Sequence, residues 1–284
     1  MCGAGWDGQG WGGVQKMLTG IIGGIGQRLR PEGAVEHRVP TPYGETSAPV
    51  VVGTLGGKRV AFISRRGEGE RLQPHLVPYR ANVWALASLG VRAVISMTAA
   101  GGLRESFSPG TFVVSDQVVD RTMARSSTFF DQGAAVQLAA ADPFDPTLRA
   151  LMVESLAAQH VRVRDFGTVV VINGPRFDTR AESRWHAALG GDLVNMTLMP
   201  EVPLALELGM GVVNLSFITD SDSLVPAEHA DAASIENVRR RVERASPVIE
   251  RTLTDVVNRL PESFDPRSTV PSSAVEEVLA RDPR

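Results

Sequence analysis

The chain has 284 residues, 43% of them hydrophobic and 21% charged, with a net charge of −3. That composition fits a globular protein able to bury a full core, and the slight negative charge favours neither nucleic acid nor an anionic membrane as a partner. Cys2 is the single cysteine, which excludes within the chain a disulfide, a thiolate zinc site and a Cys-X-X-Cys redox pair.

Met1 to Gly13 is glycine-rich and lacks the charged and apolar regions of a secretory signal, and no apolar run reaches membrane-spanning length. The expectation is a cytoplasmic protein with residues 1–16 as a disordered extension and a single folded domain over residues 17–260. Short β-rich runs then alternate with helical periodicities. Strands are expected at Met17–Ile22, Val50–Gly53, Val60–Ser64, Ala93–Met97, Phe112–Ser115, Thr168–Ile172, Leu193–Asn195 and Val212–Ile218. Helices are expected at Tyr79–Leu89, Leu148–Ala158, Arg180–Leu189, Val202–Leu208 and, as a long amphipathic element, Ile235–Leu260. The alternation predicts an α/β sheet with helices on its faces. Residues 261–284 carry four prolines and read as a loosely packed C-terminal extension.

Several chemistries find no support. The run Gly20-Ile21-Ile22-Gly23-Gly24-Ile25-Gly26 follows an apolar segment as a dinucleotide loop does, but no matching acidic residue on a second strand is evident. A tight turn whose amides face some anion is the better reading. The five histidines have no ligand spacing, so no metal is expected. No serine lies in a Gly-X-Ser-X-Gly elbow. Arg239-Arg240-Arg241 reads as a solvated helix face, and with 27 arginines against two lysines any single arginine carries little weight.

The informative blocks are Gly174-Pro175-Arg176-Phe177-Asp178-Thr179-Arg180-Ala181-Glu182-Ser183, Asn195-Met196-Thr197 and Thr219-Asp220-Ser221-Asp222. Each closes an apolar run, at the strand ends where open α/β sheets bind small ligands. Their polar, aromatic and acidic content suits a sugar and a nitrogenous base. Asp220 and Asp222, two apart, can point the same way.

With these blocks, Gly20-Ile21-Ile22-Gly23-Gly24, Arg65-X-Gly67, Tyr79-X-Ala81-Asn82-Val83-Trp84-Ala85-Leu86, Thr98-Ala99-Ala100-Gly101-Gly102-Leu103, Pro109-Gly110, Asp116-Gln117 and Asp120-Arg121-Thr122 occur in the order and spacing of one family. The chain resembles the 5′-methylthioadenosine phosphorylases of the trimeric purine nucleoside phosphorylase family, from about Leu18 to Leu253. The resemblance implies a single-domain α/β nucleoside phosphorylase fold with a mixed, partly barrel-like central sheet, assembled as a homotrimer. It implies phosphorolysis of a 6-aminopurine nucleoside, 5′-methylthioadenosine or a related 5′-deoxyadenosine, with inorganic phosphate as co-substrate and no metal or organic cofactor. By the same resemblance Asp220 is the acid at purine N7 and Asp222 accepts from the 6-amino group, since two close carboxylates raise one pKa. Phe177 lies against the base. Asn195, Met196 and Thr197 serve the ribose, and Ile235 and Val238 wall the 5′ pocket. Arg65, Arg66, Thr98, Ala99 and Thr197 hold phosphate, and residues 122–131 are a candidate contribution to a neighbouring subunit's site.

The chain departs from the family on the anion side. Ile25 stands where a hydroxyl is usual, Arg66 where a histidine is usual, and Glu70 at a second histidine position. Three consequences stay open: Arg66 replaces the lost donors, the anion site is weakened, or the protein takes another nucleoside with Glu70 on a polar 5′ group. The alternatives are therefore a purine nucleoside phosphorylase of different base or 5′ specificity, and a nucleoside-binding paralogue.

Overall fold

A computed structural model describes residues 18–26, 29–133, 135–222, 224–225 and 228–283. The extension expected at residues 1–16 and the start of the first strand at Met17 lie outside the described residues. Among the described residues, eleven strands form one mixed sheet. They are β1 (Leu18–Gly23), β2 (Glu32–His37), β3 (Val50–Leu55), β4 (Lys58–Ser64), β5 (Val91–Gly102), β6 (Phe112–Val114), β7 (Gln117–Arg121), β8 (Val163–Arg164), β9 (Thr168–Ile172), β10 (Leu193–Asn195) and β11 (Gly211–Asp220). The helices are α1 (Tyr79–Ser88), α2 (Pro146–Ala157), α3 (Arg180–Ala188), α4 (Leu198–Glu207), α5 (Ile235–Arg259) and α6 (Ser272–Leu279).

The main path runs β2-β3-β4-β1-β5-β10-β9-β7, and a second branch leaves β5 through β11 and β6 to β8. The sheet is thus mixed and flanked by helices as expected, but it branches and stays open rather than closing as a barrel. Period-two alternation on the buried strands feeds two cores. Leu18, Ile22 and Val94 face α1 and α4 with Val83, Leu86 and Val202. Ile21 and Ile95 face α2 and α5, meeting Met152, Leu156, Val242 and Ile249. Ser234 caps α5, accepting from the Asn237 amide, and the helix buries Val238, Val242, Ala245, Ile249 and Leu253 at three- and four-residue spacing.

β5 is the strand that creates the site. Its first half lies between β1 and β11, with β1 pairing only as far as Ser96. On that same edge β10 takes over at Gly101 and Gly102. Between these two partners, residues 97–100 face an opening. Backbone groups alternate edges along a strand, so Ala99 points its N–H to the same open edge as the Met97 carbonyl.

After residue 260 the chain does not trail away. Val270, Ala274 and Val278 are buried, and the Trp84 indole N–H on α1 donates to the Val278 carbonyl (3.1 Å). Arg281 reaches the Tyr43 hydroxyl and the Phe129 carbonyl (both 2.8 Å). No described helix is long and apolar enough to cross a membrane.

Candidate active site

One cavity of about 500 Å³ opens at the β5 branch. It gathers all twelve site residues expected from the sequence: Arg65, Arg66, Thr98, Ala99, Phe177, Asn195, Met196, Thr197, Asp220, Asp222, Ile235 and Val238. They come from the ends of β4, β10 and β11, the open stretch of β5, the loop before α3 and the first turn of α5.

The acidic end is built by β11. Asp220, its last residue, is only 2% exposed. One carboxylate oxygen accepts from the Thr219 hydroxyl (2.8 Å), the other from the Asp222 amide (3.0 Å). Burial, with the nearby Asp222 carboxylate adding to it against the Thr219 bond, pushes the Asp220 pKa up to about 7. Asp222 sits at a positive φ of 44° and accepts from the Ser183 hydroxyl on α3. Gly101 lets the pair close on β5, because a Cβ there would lie 2.8 Å from the Asp220 carboxylate. The Thr219 carbonyl is held by Arg241 (2.6 Å).

Over this end stands Phe177, 37% exposed, in the loop before α3. A capping box starts that helix, Thr179 and Glu182 each bonding the other's backbone. Behind Asp222 lies Asp178, pushed up to about 7 by burial and by the Asp222 charge, with His186 Nε2 3.4 Å away.

The floor is tied rather than free. The Asn195 carbonyl oxygen accepts from the amides of Thr197 and Leu198 (both 3.3 Å), and its NH₂ donates to the Thr98 hydroxyl (3.3 Å). Asn214 also donates to Thr98 (3.2 Å). Ser216 gives its proton to Asn214, so Thr98 donates to Ser216 at 2.7 Å. An anion reaching Thr98 would have to draw that proton away from Ser216. Below the floor, Arg125 donates to the carbonyls of Met196 (3.0 Å), Met199 (2.6 Å) and Asn173 (2.8 Å). Within the chain, then, the 122–131 segment bolts the loop after β10 from beneath.

At the basic end Arg65 is 1% exposed and nearly used up. It forks onto Glu201 of α4 (2.7 and 2.9 Å) and donates to the Met97 carbonyl and Ser96 hydroxyl (2.8 and 2.9 Å). These bonds use four of the five guanidinium N–H groups. Arg66 donates through Nε to the Leu72 carbonyl (2.6 Å), which leaves most of its fork to the cavity. Ile25 packs on the α5 side of the core, which accounts for an apolar residue in the glycine-rich turn. The next amide of that turn, at Gly26, donates to the Glu70 carboxylate.

Sequence reasoning missed Glu201, and Arg125 as a clamp; it named Glu70 as a candidate for a polar 5′ group but not its ion pair with Arg239. The run at 239–241 is not simply a solvated face: Arg239 pairs with Glu70 (3.0 Å) and lines the cavity, and Arg241 pairs with Asp231. The legible signal for Glu201 was a carboxylate set among apolar residues, between Leu198-Met199-Pro200 and Val202-Pro203-Leu204.

Residues 19–254 match the family model of the phosphorylase superfamily. The chain belongs to the phosphorylase superfamily. Within this superfamily it is 43% identical to the S-methyl-5′-thioadenosine phosphorylase of Hyperthermus butylicus, over 93% of this chain and 96% of that protein. It is 50% identical to the protein of the same name from Mycolicibacterium smegmatis, over 73% and 78%. Among solved phosphorylases, the methylthioadenosine phosphorylase of Schistosoma mansoni in complex with adenine superposes with a TM-score of 0.81 at 30% identity, covering 93% of this chain and 97% of that one. The sequence-based assignment to the 5′-methylthioadenosine phosphorylases thus agrees with both the relatives and the fold.

Proposed function

We propose that the protein cleaves the N-glycosidic bond of a 6-aminopurine nucleoside, 5′-methylthioadenosine or a related 5′-deoxyadenosine, by phosphorolysis. Adenine and a ribose 1-phosphate are the products, and inorganic phosphate is the only co-substrate. The observation that carries the reading is Asp220: a buried carboxyl with its pKa up at about 7, facing the same cavity as an exposed aromatic ring and an arginine-lined end.

The chemistry follows from those positions. The purine lies along Phe177 with its 6-amino group donating to Asp222 and N7 toward Asp220. Phosphate sits beneath the sugar on the Ala99 amide, Arg66, the remaining Arg65 N–H and the Thr197 hydroxyl, where charge-assisted bonds are strongest. As the C1′–N9 bond lengthens, electrons flow into the base and the sugar gains oxocarbenium character. Protonated Asp220 passes its proton to N7, so adenine leaves neutral, and a phosphate oxygen closes on C1′. General-acid assistance of this kind is worth roughly 10²–10⁴ in rate. Asn195 acts through the Thr98 hydroxyl and the Thr197 backbone amide, holding both residues in place. The working assembly is a homotrimer.

The test is adenine release from 5′-methylthioadenosine with and without phosphate. Release that depends on phosphate is expected. Equal release in its absence would mean hydrolysis, and tight binding without release would mean a nucleoside-binding protein; either overturns the reading.

A further inference from the structure

Opposite the base end the cavity is walled by a charged pair. Glu70 follows β4 in a turn where Gly67 (φ 74°), Gly69 (φ 66°) and Glu70 itself (φ 58°) all take left-handed backbone. For a glutamate that conformation is strained, and it persists only where surrounding contacts hold it. The contacts are visible. One carboxylate oxygen accepts from the Gly26 amide (2.5 Å), and the other accepts from Nε and Nη2 of Arg239 (3.2 and 3.0 Å). The glycine-rich turn, the Glu70 turn and the first turns of α5 are thereby fastened to one another. Glu70 and Arg239 both line the cavity, beside Ile25, Ile235 and Val238.

In a nucleoside the base leaves the ribose at C1′ and the 5′ carbon at C4′, on opposite sides of the ring oxygen. With the base at Phe177, Asp220 and Asp222, and the ribose over Met196 and Thr197, the 5′ arm runs toward this wall. We propose that Glu70 adds to the substrate range a 5′ group that donates a hydrogen bond, so that adenosine is turned over alongside 5′-methylthioadenosine and is preferred to 5′-deoxyadenosine, which has neither the donor nor the methylthio contact. The inference rests on the nucleoside reading given above.

The donor requirement follows from the carboxylate. An ionised carboxylate only accepts, and its two oxygens offer about four acceptor positions, of which Gly26 and Arg239 take three. A 5′-hydroxyl can give its proton to the remaining one. A 5′-methyl has nothing to give, and a thioether sulfur is itself only a weak acceptor. Ile25, Ile235 and Val238 supply an apolar surface alongside, so a methylthio group finds contact there while forgoing the bond to Glu70. A hydrogen bond to a charged group is worth a discrimination of about tenfold or more.

The experiment compares adenosine with 5′-deoxyadenosine, which differ only by that hydroxyl, as kcat/KM at saturating phosphate and as dissociation constants by calorimetry. Wild type should favour adenosine by about tenfold or more on both measures. Glu70→Leu should bring the ratio to about one, and Glu70→Gln, whose amide oxygen still accepts, should keep part of it. The preference for adenosine over inosine, set at the other end of the cavity, should be unchanged in both variants. A wild-type ratio near one, or a ratio that survives Glu70→Leu, overturns the proposal. Absence of turnover with either nucleoside counts against the proposed reaction alone, because the calorimetric ratio still decides the role of Glu70.

Discussion

Asp220 concentrates the chemistry in one proton. Its carboxyl has a folded pKa of about 7, raised by burial, where an unfolded aspartate has an ordinary low value. A raised carboxylate contributes stability that is fully present below the unfolded pKa and is lost as pH rises through the folded one. Between those values the folded chain keeps a proton that the unfolded chain has released, and in the proposed reaction this proton passes to the leaving purine. The kcat/KM for a 6-aminopurine nucleoside should therefore fall on an alkaline limb with an apparent pKa near 7. Asp220→Asn should cut kcat by about 10² or more and abolish the limb. Asp178 titrates in the same range for a similar cause, so Asp178→Asn is the control and should keep the limb. Undiminished turnover in Asp220→Asn would remove the acid role.

Among the elements, the junction of β4 with α4 shapes the basic end of the cavity, where Arg65 and Glu201 meet, 1% and 3% exposed. Breaking such a pair from one side leaves an uncompensated buried charge, at a cost of about 3–5 kcal/mol. Glu201→Leu should lower the thermal midpoint by many degrees, and a midpoint within a degree of wild type would mean that the pair does not hold this junction. The sequence shows one partner and hides the other. Arg65 belongs to a motif, whereas Glu201 stands 136 residues further on among apolar neighbours in α4, and nothing local links them. The same logic runs through the fold. Buried strand β9 is legible because nearly every residue is apolar, β11 because Val212, Val213, Leu215, Phe217 and Ile218 crowd into one run, and α5 because its stripe repeats over 25 residues. Edge strand β2 is almost wholly exposed, so it carries no apolar alternation to read. β5 was expected to stop at Met97, since Ala-Ala-Gly-Gly punctuates like a turn, yet pairing to β10 and β11 carries it to Gly102. α4 begins four residues before the expected Val202, with Pro200 and Pro203 obscuring the start. The base end was readable because its residues cluster at strand ends. At the other end Glu70 was legible as a candidate for a 5′ group, but its pairing with Arg239 was not, because the two lie 169 residues apart.

At the scale of the whole molecule, the sheet ends at β7 with apolar side chains in the open. Val119 is 43% exposed, Met123 73% and, close by on α3, Trp185 45%, with Arg121 lying over the indole at 4.8 Å. An edge strand bearing such residues suits a contact between subunits of the proposed homotrimer. Sedimentation should give three times the 30.4 kDa chain mass, and a monomer at micromolar concentration would exclude the trimer. The divided pairing of β5 has a further consequence, for how such a protein changes over time. The strand that presents Thr98 and Ala99 is also the spine of the sheet, and β11, which ends in Asp220, is paired to it along most of its length. Innovation on that side puts folding at risk. The opposite wall is borrowed from turns and a helix start, joined mainly through one carboxylate at Glu70, and exchange there leaves the spine untouched. Substrate range can thus drift at the sugar's far end while recognition of the purine stays fixed.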